Sequence, residues 1–172
     1  MLDFHIRKTS SFRNLNDITY NSDIYSNNDS QKFREQSLLS QTIKDATKNR
    51  TVIYELIDLK TNTILGIIAL SASRLAMKPA LLIDYIFVIE QYRKKKFNDI
   101  SCAEYLMAFA FQKAFEVQDE IGLSNLILYP DKKHQSLIDY YKTNYDFQEL
   151  REKVVIQNKT EIERWLWLPL KK

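Results

Sequence analysis

Glycine is almost absent from this 172-residue chain, occurring twice, at Gly66 and Gly122. Any site that needs a glycine-rich loop to bring backbone against a ligand starts at a disadvantage. Cysteine occurs once, as Cys102. That excludes an intrachain disulfide framework and points to a reducing compartment. The two histidines, His5 and His134, are far apart and make no convincing metal site with that cysteine. No apolar run approaches the roughly 18–20 residues that span a bilayer. The segment Met1-Leu2-Asp3-Phe4-His5 lacks the basic start and apolar core of a secretory signal, so a cytoplasmic location is expected. Charge of one sign is also scarce in excess: 25 basic against 22 acidic residues leave +3. A general nucleic-acid binder would carry more, so any basic patch is local.

What is present suits one globular domain over 1–172. A chain of this length buries a real core, and 45% hydrophobic with 27% charged residues is ordinary soluble composition. No linker, repeat or low-complexity block divides it. A first strand is expected over 1–9, then a loop-rich Asn/Asp/Ser/Thr segment over 14–30 with a short helical piece. Ser30 is placed to cap a helix over 31–49, with Phe33, Leu38, Leu39, Ile43 and Ala46 on one face. The stretches 52–59 and 63–72 read as a hairpin about Thr61-Asn62. A basic loop with Arg74 and Lys78 is expected over 71–79, then a continuous apolar strand over 80–89. The long amphipathic helix is predicted over 98–117, capped by Asn98 or Asp99, with Gly122 as its stop. A strand over 123–128, a helix over 132–141 with Leu137, Ile138 and Tyr141 inward, and a hairpin of 154–157 with 164–168 complete the chain. Trp165 and Trp167 share one strand face and read as core or subunit contact. Cys102, on the long helix, reads as small core. The fold class is α+β, a mixed, mostly antiparallel sheet flanked by helices on both faces.

The strand over 80–89 runs into Glu90-Gln91-Tyr92 and the basic run Arg93-Lys94-Lys95-Lys96, just before the long helix. A helix N-terminus carries partial positive charge and unpaired N–H groups, so strand, basic turn and helix together can hold an anion. The plain alternative is a solvated basic loop. The segment Ile86-Phe87-Val88-Ile89-Glu90-Gln91-Tyr92-Arg93 resembles the acetyl-coenzyme A strand and turn of the GNAT superfamily of N-acyltransferases. Leu126-Ile127-Leu128-Tyr129-Pro130 resembles that family's next strand, and Ser136-Leu137-Ile138-Asp139-Tyr140-Tyr141-Lys142 with Asp146-Phe147 its Phe-Tyr helix. The family turn reads Gln/Arg-x-x-Gly-x-Gly/Ala. Here Arg93 takes the first position, Lys96 and Asn98 stand at the two small ones, and Asp146 replaces a later glycine. The resemblance covers roughly residues 51–150.

The resemblance implies acetyl-CoA as cosubstrate, held by Phe87, Val88, Ile89, Arg93, Lys94, Lys95, Lys96, Phe97 and Asn98. It implies Tyr141 as the acid that protonates the departing thiolate, with Tyr140 as the alternative if the register slips. The acceptor amine must be neutral to attack, and Glu90 at the strand end is placed to take its proton. Asp84 is read first as a structural hydrogen-bond acceptor and second as an acceptor contact. Backbone N–H groups of 87–89 would stabilise the oxyanion. Leu38-Leu39, Gly66-Ile67-Ile68-Ala69-Leu70 and Glu120-Ile121-Gly122 resemble the toxin-type branch that acetylates the amino group of aminoacyl-tRNA. That branch implies an antitoxin partner and a homodimer. Lys132, Lys133, His134, Lys142 and Arg151 add basic charge suited to a tRNA stem, although solvated surface is their default reading. Two other readings stay open: a GNAT-shaped binding module without turnover, and a small-molecule or protein acetyltransferase.

Overall fold

The computed structural model describes residues 4–130, 134–156 and 159–171. The elements run β1 (Phe4–Lys8), α1 (Phe12–Thr19), a 3-10 turn (Ser22–Ile24), α2 (Asp29–Thr47), β2 (Val52–Asp58), β3 (Thr63–Leu75) and β4 (Lys78–Val88). A second 3-10 turn (Glu90–Tyr92) leads to β5 (Lys96–Phe97), β6 (Ile100–Ser101) and α3 (Cys102–Ile121). The chain closes with β7 (Asn125–Leu128), α4 (Gln135–Tyr145), β8 (Gln148–Ile156) and β9 (Lys159–Pro169). The sheet has seven strands in the order β1-β2-β3-β4-β7-β9-β8. It is mixed and mostly antiparallel, with β4 and β7 parallel.

The chain forms two compact units, Met1–Ser71 with Asp84–Gln112, and Ala72–Ile83 with Lys113–Lys172. The first is built on β1–β3 and the helices before β2. Ser11 caps α1 by accepting from the Asn14 N–H, so most of the expected loop is helical. Asn28, not Ser30, caps α2, accepting from the Gln31 N–H at 3.0 Å. Asn is an equally good cap, and the cap places Leu39, Ile43 and Ala46 inward with Leu15, Ile24, Tyr25, Ile53, Ile67, Ala69, Phe87 and Ile89. Phe33 and Leu38 do not join that face; they are 75% and 45% exposed. Gly66 of β3 sits under the backbone of β4. A Cβ there would meet the Phe87 carbonyl oxygen at 2.7 Å and Leu106 of α3 at 3.3 Å.

In the second unit β4, β7 and β9 form a buried apolar ladder. Leu81 pairs with Leu126 and Ile83 with Leu128, while Leu168 and Leu166 oppose them from β9. The expected basic loop over 71–79 is instead a continuation of β3 into β4. Ala76 and Met77 both take positive φ, 45° and 67°, which closes a tight hairpin. Gly122 ends α3 at φ 73°, where its N–H bonds the Gln118 carbonyl at 2.9 Å. Asp146 ends α4 in the left-handed conformation at φ 57°, doing without the glycine. The last hairpin is longer than read, and its expected turn at Asn158 falls partly outside the described residues.

Gly66→Ala is expected to lower stability by about 2 kcal/mol, because the neighbour at the clash is backbone and cannot rotate away. The urea midpoint reads this directly, and an unchanged midpoint would contradict the close approach.

Candidate active site

The end of β4 is organised by one arginine. The Arg93 Nε donates to the Val88 carbonyl at 2.8 Å, and its two Nη groups donate to the two Glu35 carboxylate oxygens at 2.8 and 2.9 Å. Its guanidinium carbon lies 5.6 Å from the centroid of the buried Phe87 ring. Glu35 also accepts from the Ser26 N–H at 3.0 Å and from Gln31 at 2.8 Å. Burial alone would raise the Glu35 pKa; the bonds from Arg93, Ser26 and Gln31 outweigh it and hold the carboxyl below its ordinary range. Glu90 approaches the same guanidinium, at 2.8 Å from Nη1. So Arg93, read from the sequence as facing a phosphate, has its guanidinium turned into the protein, and Glu90 belongs to the same ion-pair group.

After the 3-10 turn the chain does not enter the long helix at Asn98. Asn98 and Asp99 take φ 52° and 65°, two successive left-handed residues that close a hairpin of β5 and β6. Phe97 packs edge-on against Phe4, with centroids 4.8 Å apart. The helix begins at Cys102 behind a capping box. The Ser101 N–H donates to Glu104 Oε2 at 2.6 Å, and the Glu104 N–H to Ser101 Oγ at 3.3 Å. The Ser-x-x-Glu signature was readable in the sequence and marks the start that Asn98 does not. Lys94, Lys95 and Lys96 are exposed, Lys95 with its Nζ 5.0 Å from the Tyr92 ring centroid. Phe87, Val88 and Ile89 are buried. The Ile89 N–H is committed to the Leu65 carbonyl at 3.0 Å.

Asp84 finds the partners a strand carboxylate needs. The Thr51 hydroxyl lies 2.6 Å from its Oδ2 and also 3.0 Å from the Leu70 carbonyl. Burial raises the Asp84 pKa, against hydrogen bonds from Thr51 and Ser71, and the charge of Asp45 raises it further. A groove of about 360 Å³ opens there, lined by Leu38, Gln41, Thr42, Asp45, Arg50, Thr51 and Asp84. Of these, Gln41, Thr42, Asp45 and Thr51 carry no sequence-local sign of a site.

Tyr141 lies in the second unit, on α4. Its ring meets Tyr140, Tyr145 and Phe147 at centroid distances of 5.7, 6.2 and 6.1 Å. Burial, then the Tyr140 charge, pushes its phenol up to about 12. Its hydroxyl has no hydrogen-bond partner among the described residues, whereas the Tyr140 hydroxyl is 3.3 Å from that of Tyr145. Of the basic residues expected around α4, Lys132 and Lys133 lie outside the described residues. Lys142 and Arg151 are both drawn to Glu149, at 3.6 and 2.9 Å.

No protein-family model matches the sequence. No curated protein matches it either. Solved structures do match the fold. A mutant of the AtaT toxin bound to the C-terminus of the antitoxin AtaR and acetyl-CoA is 14% identical, with a TM-score of 0.58 over 97% of this chain and 93% of that one. AtaT complexed with acetyl-methionyl-tRNAfMet gives 14% identity and a TM-score of 0.62 over 97% and 95%. A mutant of the spermidine N-acetyltransferase SpeG from Vibrio cholerae gives 14% and 0.54 over 96% and 93%. The fold of this chain is that of the GNAT acetyltransferases. Among the described residues no helix is long and apolar enough to cross a membrane.

Glu35→Gln preserves the shape of the pair and removes its charge, and is expected to cost about 2 kcal/mol, because Arg93 then keeps Glu90 as its one charged partner among the described residues. Because the folded Glu35 pKa is lowered, its contribution is present above the unfolded pKa and is lost as pH falls through the folded value. The wild-type chain should therefore lose stability below about pH 4, and Glu35→Gln should lose less over that window. Urea melts of both at several pH values check the difference.

Proposed function

We propose that this chain is an N-acetyltransferase that moves an acetyl group from acetyl-CoA to a primary amine. The observation that carries the reading is the correspondence of nearly the whole chain to acetyltransferases, one of them with acetyl-CoA bound. The residues at the end of β4 suit the group in charge: Lys94, Lys95 and Lys96 are exposed beside a buried apolar strand end. When bound, acetyl-CoA supplies an activated thioester carbonyl. The chain supplies the proton handling and the orientation.

Side chains and N–H groups alternate along a strand. The Ile89 N–H points to β3, so the Val88 N–H points to the other edge and is our candidate oxyanion donor. Tyr141 keeps its proton at neutral pH and is the acid for the departing thiolate. For the base we favour Asp84 over Glu90. Glu90 is held at Arg93, while Asp84 has a raised pKa and opens on a groove.

Within this class we favour the amino group of aminoacyl-tRNA as acceptor, an antitoxin as partner and a homodimer as assembly. The support is the likeness to AtaT, whose structures hold acetyl-methionyl-tRNAfMet and the antitoxin AtaR. A second reading has its own observation. The start of α3 already carries the Glu104 carboxylate in its own capping box, which disfavours a second anion there.

Millimolar acetyl-CoA is expected to raise the melting temperature, and radiolabelled acetyl to pass to charged tRNA and not to free amino acids. Tyr141→Phe should lower kcat about 100-fold or more with little change in KM. Acetyl-CoA that leaves the melting curve unmoved would remove the enzymatic reading and favour the binding module. Transfer to polyamines or peptides alone would keep the enzyme and replace the acceptor.

A further inference from the structure

We propose that the side chains of Lys94, Lys95 and Lys96 grip the cofactor's phosphates in place of a backbone cradle, and that the Glu104 carboxylate holds the start of α3 shut against them. This rests on the acetyl-CoA reading above.

A helix start binds phosphate when its first N–H groups are open and no anion is already there. At α3 the second condition fails and the first is met only in part: the Glu104 N–H is taken by Ser101 Oγ at 3.3 Å, and the Ser101 N–H just before the helix donates to Glu104 Oε2 at 2.6 Å. The Glu104 carboxylate itself stands at the position of favourable dipole interaction. Its pKa is lowered by the bonds to the Ser101 side chain and backbone and, less, by Lys96, so it is charged at neutral pH. A phosphate brought to this helix start meets an anion that the fold has already placed there.

The other donor expected at the turn is also committed within the protein. Arg93 spends Nε on Val88 and both Nη groups on Glu35. The hairpin then decides which charges remain.

Phe97 packs on Phe4 with ring centroids 4.8 Å apart, and Phe4 in turn packs on Tyr105 at 5.2 Å. Because successive strand residues face opposite sides, Phe97 pointing inward turns the neighbouring Lys96 outward. Lys94 and Lys95 precede it, also exposed. The ammonium groups are thus the free positive charge at the end of the turn.

The two kinds of grip differ measurably. Exposed ammonium groups are screened by salt, whereas fixed backbone donors are screened far less. Coenzyme A binding is to be measured by calorimetry at about 20 and about 300 mM salt, on the wild-type chain, on Lys94→Gln/Lys95→Gln/Lys96→Gln, and on Glu104→Gln. Gln preserves the capping box, and melting curves confirm that each variant is folded. The expected results are binding that weakens steeply with salt in the wild type, about tenfold weaker binding with a flattened salt dependence in the lysine variant, and about fivefold tighter binding in Glu104→Gln. If the wild type binds coenzyme A but the lysine variant binds equally well, or Glu104→Gln binds no tighter, this inference is overturned and the acetyl-CoA reading stands. If the wild type binds no coenzyme A, both are overturned.

Discussion

The bidentate pair of Glu35 and Arg93 joins parts of the chain that are far apart in sequence. Glu35 comes from the middle of α2 and reaches back to the Ser26 N–H; Arg93 comes from the turn after β4 and reaches back to the Val88 carbonyl. A guanidinium and a carboxylate in parallel alignment fix direction as well as distance. With both held, the turn after β4 has one geometry. Everything downstream in that unit, the hairpin, the exposed lysines and the capped start of α3, is laid out from that point.

This arrangement explains how the turn dispenses with glycine. A glycine turn lets backbone approach a ligand because no Cβ intervenes. Here the positive-φ positions fall to Asn98 and Asp99, residue types that tolerate the left-handed region. They are used to close a hairpin. Glycine is retained at Gly66, where the requirement is packing between β3, β4 and α3.

Much of this was legible in the sequence wherever the signal was local. The apolar run of β4, the stripe of α3, the stop at Gly122 and the strand at β7 were all read from periodicity and composition. Element boundaries slipped where two local signals competed. Asn98-Asp99 reads equally as a cap or as a hairpin turn, and the Ser101-x-x-Glu104 box decides between them. The basic stretch after Ser71 reads as a loop, yet Ala76 and Met77 adopt the turn conformation against their own preference. The Glu35–Arg93 pair was not legible at all, because nothing near either residue announces a partner on another element. The same holds for the groove around Asp84, whose lining comes from α2, the segment before β2, and β4.

The assignment of Arg93 shows why residue type alone misleads at such sites. An arginine after a strand, ahead of a helix, has the chemistry to bind phosphate, and the same chemistry binds a carboxylate. Which it does depends on what is nearest and least hydrated. Glu35 is side-chain exposed by only 11%, so its charge is poorly solvated and gains most from a fixed guanidinium. The lysines that follow are exposed, Lys95 over the Tyr92 ring and Lys96 near the Glu104 carboxylate, so their charge meets water and is screened. The division of labour follows from burial: the planar, part-buried cation organises the turn, and the flexible, exposed cations are left to meet a ligand.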